Sequence, residues 1–152
     1  HPTALIQLHG HESPAFVRNV RAFVLKAVRV DRATLEAELD VWRRAIADAA
    51  GALDHLKGLV LETAGPGVGG TGQANDWTFV ADVARRGGFA GLPPIVAAGG
   101  LTSETVGDVV RAIRPWAVDV SSGVERVKGE KAPDLVEGFV RAVREADADL
   151  GK

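Results

Sequence analysis

The sequence predicts an α/β fold assembled from parallel βα units. Short apolar runs alternate with stretches in which apolar residues recur every three or four positions. The runs lack the polar–apolar alternation of half-exposed strands, so both faces should be covered, as in parallel sheets with helical crossovers. Two successive runs also end in small residues where a helix should begin. Ile95-Val96-Ala97-Ala98 leads into Gly99-Gly100-Leu101, and Val118-Asp119-Val120-Ser121 leads into Ser122-Gly123-Val124-Glu125.

Taken in order, Ala4 to Leu8 reads as a buried strand. Ser13-Pro14 supplies an N-cap and a first-turn proline for a helix ending near Arg21, with Phe16, Val17 and Val20 on one face. Val24 to Val30 is the second strand. Asp31 is expected to cap a longer helix carrying Leu35, Leu39, Trp42, Ile46 and Ala49. Leu56 to Glu62 is the third strand, and Ala64 to Asn75 a Gly-rich loop. Asp76 caps a helix with Trp77, Val80, Ala81 and Ala84 inward. Pro94 to Ala98 is the fourth strand. Thr102 or Ser103 opens a helix with Val106, Val109, Val110 and Ile113. Trp116 to Ser121 is the fifth strand, and Leu135, Phe139, Val140 and Val143 mark a last helix. These five βα units form a single domain over residues 1–152, with no linker, sequence repeat or low-complexity tract.

Bulk properties narrow the function. Apolar content of 46% and charged content of 25% are those of an ordinary globular chain. A net charge of −2, with no basic block interleaved with aromatics, gives no reason to expect nucleic acid. The Lys and Arg residues are expected on solvated helix faces. The absence of cysteine excludes disulfides, thiolate catalysis and Cys-ligated zinc within these residues. No run approaches the ~18 apolar residues of a membrane span, and no signal peptide opens the sequence. The sequence begins at His1, directly in a strand-like run, and contains no Met, which reads as the middle of a longer protein.

In βα units the reactive loops lie at the C-terminal ends of the strands. Polar or small residues gather there: Gln7-Leu8-His9-Gly10, Arg29-Val30, Glu62-Thr63, Gly99-Gly100 and Ser121-Ser122-Gly123. Gly99, Gly100, Ser122 and Gly123 sit on consecutive strands, and their main-chain N–H groups could grip a phosphate without Lys or Arg. Each pair alone could be an ordinary turn. Glu62 ends the central strand, where partial burial would raise its pKa and suit it to general acid or base chemistry. Its plain alternative is a solvated strand end. His9 is a candidate neutral hydrogen-bond partner for substrate. Asp119 points at the same region, as a substrate contact or as a partner of a cation or loop amides. His9-Gly10-His11 has a metal-like alternation but no accompanying carboxylates, so no metal site is expected. Gly65-Pro66-Gly67-Val68-Gly69-Gly70 matches G-x-G-x-x-G, yet no helix opens at its third glycine, and a lid or substrate-shaping loop is the better reading.

The chain resembles the phosphoribosylanthranilate isomerase family of tryptophan biosynthesis. Gln7-Leu8-His9-Gly10, Val24-Leu25-Lys26-Ala27-Val28-Arg29-Val30, Gly69-Gly70-Thr71-Gly72 with Asp76-Trp77, and Ala98-Gly99-Gly100-Leu101 carry the likeness. It continues through Arg114-Pro115-Trp116-Ala117-Val118-Asp119-Val120-Ser121-Ser122-Gly123-Val124-Glu125 to Gly129-Glu130-Lys131. The resemblance implies a TIM-type (βα) barrel of which this chain supplies units four to eight. It implies an Amadori rearrangement of an N-linked phosphoribosyl-anthranilate, without metal or cofactor, in the cytoplasm, and substrate phosphate on Gly99, Gly100, Ser122 and Gly123. The family's general acid is an aspartate where this chain has Glu62. Its general base, a cysteine ending the first strand, and an arginine near the second fall outside these residues.

Three readings stand beside one another. The chain could be the C-terminal portion of such an isomerase, its remaining strands supplied by a complementing N-terminal segment. It could be a non-catalytic phosphate-binding or assembly module from the same barrel, prone to self-association through exposed strand edges. It could be a free-standing doubly wound domain, in which the strand order would reverse. Neither nucleic acid nor a membrane is expected as partner.

Overall fold

A computed structural model describes residues 4–63 and 75–151. Five parallel strands form one sheet: β1 (Leu5–Leu8), β2 (Phe23–Val30), β3 (Leu56–Thr63), β4 (Ile95–Ala97) and β5 (Ala117–Val118). Their order across the sheet is β1-β2-β3-β4-β5. Sequential neighbours all joined by crossovers are the arrangement of a barrel segment, and no reversal of the doubly wound kind occurs. β1 and β5 are the edges of this sheet.

The helices between strands are α1 (Pro14–Val17), α2 (Leu35–Asp48), α3 (Trp77–Arg85) and α4 (Val106–Ile113), with α5 (Pro133–Asp149) after the last strand. Ser13 caps α1 by accepting from the Phe16 N–H at 3.3 Å, and Asp76 caps α3 by accepting from the Phe79 N–H at 3.0 Å, as the sequence predicts. Three boundaries differ. α1 is a single turn instead of reaching Arg21; the Val17 carbonyl accepts from the Val20 N–H at 3.0 Å in the turn that follows and lies 2.8 Å from a His55 ring nitrogen. Asp31 does not cap α2. Its carboxylate accepts from Ala33 N at 2.8 Å in a preceding turn, and the helix opens at Leu35. Likewise Thr102 and Ser103 precede α4, whose N-cap position is Thr105; the Thr105 hydroxyl accepts from Thr102 N at 3.1 Å.

Side-chain alternation divides the strand residues between two faces. Val28, Leu59, Leu61, Ile95 and Ala97 pack with Leu35, Leu39, Trp42, Phe79, Val80, Val83, Val106, Val109, Val110, Ile113 and Phe139 in the main core between sheet and helices. Val60, Val96 and Ala98, with Leu25 and Ala117, form a second cluster on the other face. Phe16, Val140 and Trp116, expected inward or in strand, are exposed, Trp116 by 71%. Phe16 lies in a helix of one turn that buries only Val17, and Trp116 precedes a fifth strand only two residues long; nothing in the structure explains the exposure of Val140. Ile95→Val removes one methylene from the main core and should lower the unfolding free energy by about 1 kcal/mol, read by urea denaturation at an unchanged slope.

Among the described residues no helix is long and apolar enough to cross a membrane.

Candidate active site

The register of the sheet builds the site. Ala27, Val60, Val96 and Ala117 are aligned neighbours across four strands on the face away from the main core. Two residues further along each strand, alternation brings Arg29, Glu62, Ala98 and Asp119 to that same face. Arg29 and Glu62 are themselves register partners. On β1, Gln7 pairs with Leu25, which places Gln7 and then His9 in the same layer system. An apolar floor therefore lies beneath a polar row at the C-terminal ends of the strands.

Glu62 is the hub of that row. The Gln7 side-chain amide donates to Glu62 Oε1 at 2.8 Å, and His9 Nε2 contacts Oε2. Burial pushes the Glu62 carboxyl above its ordinary pKa; the nearby His9 works against this, and the Asp119 carboxylate adds to the rise. A carboxyl so placed retains its proton further toward neutrality than a solvated one, the property a general acid needs. Asp119 is exposed and makes no ion pair among the described residues. His9, foreseen as a substrate partner, is turned onto Glu62.

The exits of β4 and β5 abut. Gly99 and Gly100 have φ of 95° and 64°, a left-handed pair that favours glycine. A Cβ on Gly99 would collide with Thr63 Oγ1 and lie 2.8 Å from Thr63 N. A Cβ on Gly123 would collide with the Leu101 carbonyl oxygen and lie 2.9 Å from its carbon. The main chain after β5 thus rests directly on the main chain after β4. Ser122 and Gly123 open a single 3-10 turn, Ser122–Val124. The two turns that the sequence reading paired are neighbours in space.

Two supports of these turns were not foreseen. Asn75, buried, donates from Nδ2 to the Ala98 carbonyl at 2.6 Å, tying the start of α3 to the exit of β4. After the 3-10 turn, β6 (Glu125–Val127) and β7 (Glu130–Lys131) form a small antiparallel hairpin. Lys131 Nζ donates to the Ser121 carbonyl at 2.8 Å and to Glu125 Oε1 at 2.6 Å. That lysine and the Gly129 N–H hold the Glu125 carboxyl below its ordinary pKa. Gly129-Glu130 is a readable turn signal for the hairpin; nothing local marks Asn75 as buried. The expectation that Lys and Arg all lie on solvated faces also fails at Lys26, which is 1% exposed. The Gly65–Gly70 motif lies outside the described residues.

Comparison with known proteins agrees with this layout. The family model for N-(5'-phosphoribosyl)anthranilate (PRA) isomerase matches residues 2–142. The N-(5'-phosphoribosyl)anthranilate isomerase of Pseudomonas putida strain KT2440 is 41% identical over 147 residues, covering 95% of this chain and 63% of that protein. The crystal structure of phosphoribosyl anthranilate isomerase from Thermotoga maritima is 30% identical, with a TM-score of 0.69, over 93% of this chain and 62% of that one. Another isomerase structure, in complex with reduced 1-(o-carboxyphenylamino)-1-deoxyribulose 5-phosphate, is 28% identical with a TM-score of 0.61, over 93% of this chain and 59% of that one. The chain spans 57% to 63% of the length of three curated relatives that it matches. With the family model matched along nearly its whole length, the chain belongs to the N-(5'-phosphoribosyl)anthranilate isomerase family.

Proposed function

We propose that this chain supplies the phosphate-binding and acid-bearing part of an isomerase. The reaction is the Amadori rearrangement of N-(5-phosphoribosyl)anthranilate to 1-(2-carboxyphenylamino)-1-deoxyribulose 5-phosphate, a cytoplasmic step of tryptophan biosynthesis. One observation carries the reading: a carboxyl with a raised pKa stands on the central strand, beside two glycine-rich exits whose main chains touch.

In this reading the main-chain N–H groups of Gly99, Gly100, Ser122 and Gly123 receive the substrate phosphate. Glu62, protonated, delivers its proton to the ribose ring oxygen. The C1–O bond breaks, and the nitrogen lone pair forms the iminium. A base then removes the C2 proton, and the resulting enolamine tautomerises to the ketone. His9 and Gln7 hold the Glu62 carboxyl, and Asp119 lines the mouth. The base has no candidate in this chain; a complementing N-terminal segment that pairs with β1 and β5 would bring it and close a single barrel domain. The alternative reading, a non-catalytic phosphate-binding or assembly module, draws on those same unpaired edges.

Calorimetric titration with reduced 1-(o-carboxyphenylamino)-1-deoxyribulose 5-phosphate tests the first part. The analogue should bind, and removal of its phosphate should weaken it at least tenfold. Equal binding of the two compounds would refute the phosphate assignment. An isomerase assay with and without an N-terminal fragment separates the readings. Activity restored by the fragment supports the enzyme, and a folded but inactive complex supports the module.

A further inference from the structure

Lys26 lies in the middle of β2, and its ammonium is almost wholly buried. An apolar side chain is the default at such a position, because an ammonium must find partners for all its N–H groups once water is removed. Here it has three. Nζ donates to the Gly10 carbonyl at 2.8 Å and to the Ala27 carbonyl at 2.6 Å, and lies 3.2 Å from Glu12 Oε2. The Glu12 carboxylate in turn accepts from the Gly10 N–H, at 3.1 and 3.0 Å to its two oxygens. Burial acts to raise the Glu12 carboxyl, but main-chain hydrogen bonds and the Lys26 ammonium outweigh it and hold it below its ordinary pKa. The ion pair therefore holds both polar main-chain groups of Gly10. The residue immediately before Gly10 is His9, whose ring contacts Glu62.

We propose that Lys26 is a positioning residue: paired with Glu12, it fixes the Gly10 main chain and thereby sets His9 against Glu62. The chain of contacts is short and continuous, from a rigid strand interior to the turn after β1 and on to the carboxyl on β3. Without it, five residues between β1 and α1, His9 to Ser13, would have few anchors. The groups that act on Glu62 are His9 and Gln7 from the β1 end and Asp119 beyond β5; its register partner Arg29 on β2 shares the face, and its charge acts on Glu38. Of these, His9 is the one joined directly to the Gly10 main chain that Lys26 holds.

The test is a carboxyl-carbon NMR titration of Glu62 in the full chain, its resonance assigned with Glu62→Gln. Because His9 lowers the Glu62 pKa, loosening His9 should move the midpoint upward, by about half a pH unit or more in Lys26→Met. Lys26→Arg, which keeps a charged donor, should restore most of the shift. In a His9→Ala background, Lys26→Met should produce no further shift. Should Lys26→Met fail to fold, Glu12→Gln leaves the lysine its two carbonyl acceptors and should raise the midpoint in the same direction. An unchanged midpoint in the folded variant, or a shift that persists without His9, overturns the proposal and leaves Lys26 a purely structural residue. The role bears on catalysis only through the acid proposed at Glu62. The titration reads the contact itself, so a failed isomerase assay would leave this inference standing.

Discussion

Replacing Gly123 by alanine is expected to destabilise the protein by about 3 kcal/mol, among the largest effects of any single methyl group added to this chain. The added Cβ would be driven into the Leu101 carbonyl oxygen and sit 2.9 Å from the carbonyl carbon. Both partners are main chain. Neither can yield by changing a rotamer, so the exits of β4 and β5 must separate. Chemical denaturation reads the loss of stability. Phosphate-dependent binding of the analogue should fall with it, because the proposed cradle needs amides from both turns at once. Ser122→Ala is the control. It keeps every main-chain N–H and should cost little in either measurement. A Gly123→Ala variant of wild-type stability would mean that the two turns do not press together in solution.

Glu62→Gln is expected to lower isomerase turnover of the complemented enzyme by a hundredfold or more, the usual contribution of a general acid. The amide keeps the shape and an acceptor for the Gln7 side chain but has no proton to deliver. Glu62→Asp, one methylene shorter, should retain more activity than Gln, because the transferable proton remains. Stability should respond in a linked way. The folded-state pKa of Glu62 lies above the unfolded value, so between those two values the folded chain binds more protons than the unfolded one. Its contribution to stability is therefore highest below the unfolded pKa and declines as pH rises through the folded pKa. Denaturation of wild type and Glu62→Gln across mildly acidic to neutral pH should show this as a difference curve falling with pH. Taking the difference removes the opposite trend of Glu12, Asp76, Glu104 and Glu125, whose carboxyls are held below their ordinary values. A flat difference curve would contradict a raised Glu62, and full turnover in Glu62→Gln would remove it as the acid.

The type and order of the βα units were readable because burial on both faces leaves strands few polar positions, and helices keep their three-to-four spacing. Helix starts were less so. Asp31 and Thr102 have good capping chemistry, yet in each case the chain makes one more turn before the helix opens. The same side chains serve turns and caps equally well, and local sequence does not separate the two. The polar strand ends were legible as a set, since residues such as Glu62 and Arg29 interrupt apolar runs at the end where βα units carry their chemistry. What they touch was not. His9 reads as a hydrogen-bond partner for substrate, and in the structure its ring contacts Glu62. Lys26 looked like one more surface lysine, since a single cation inside an apolar run gives no sign of the Gly10 carbonyl awaiting it 16 residues away.

The sequence by itself determined the parallel sheet, the unit order and the residues available at the strand mouths. These follow from hydrophobic periodicity and turn chemistry, which act over a few residues. Only the tertiary structure decided that the strands lie in sequential order, that the Leu101 and Gly123 main chains meet, and that a buried Lys26–Glu12 pair stands behind His9. Those outcomes depend on register and close packing between segments distant in sequence, where the energy resides in complementary surfaces and paired polar groups that no single stretch contains.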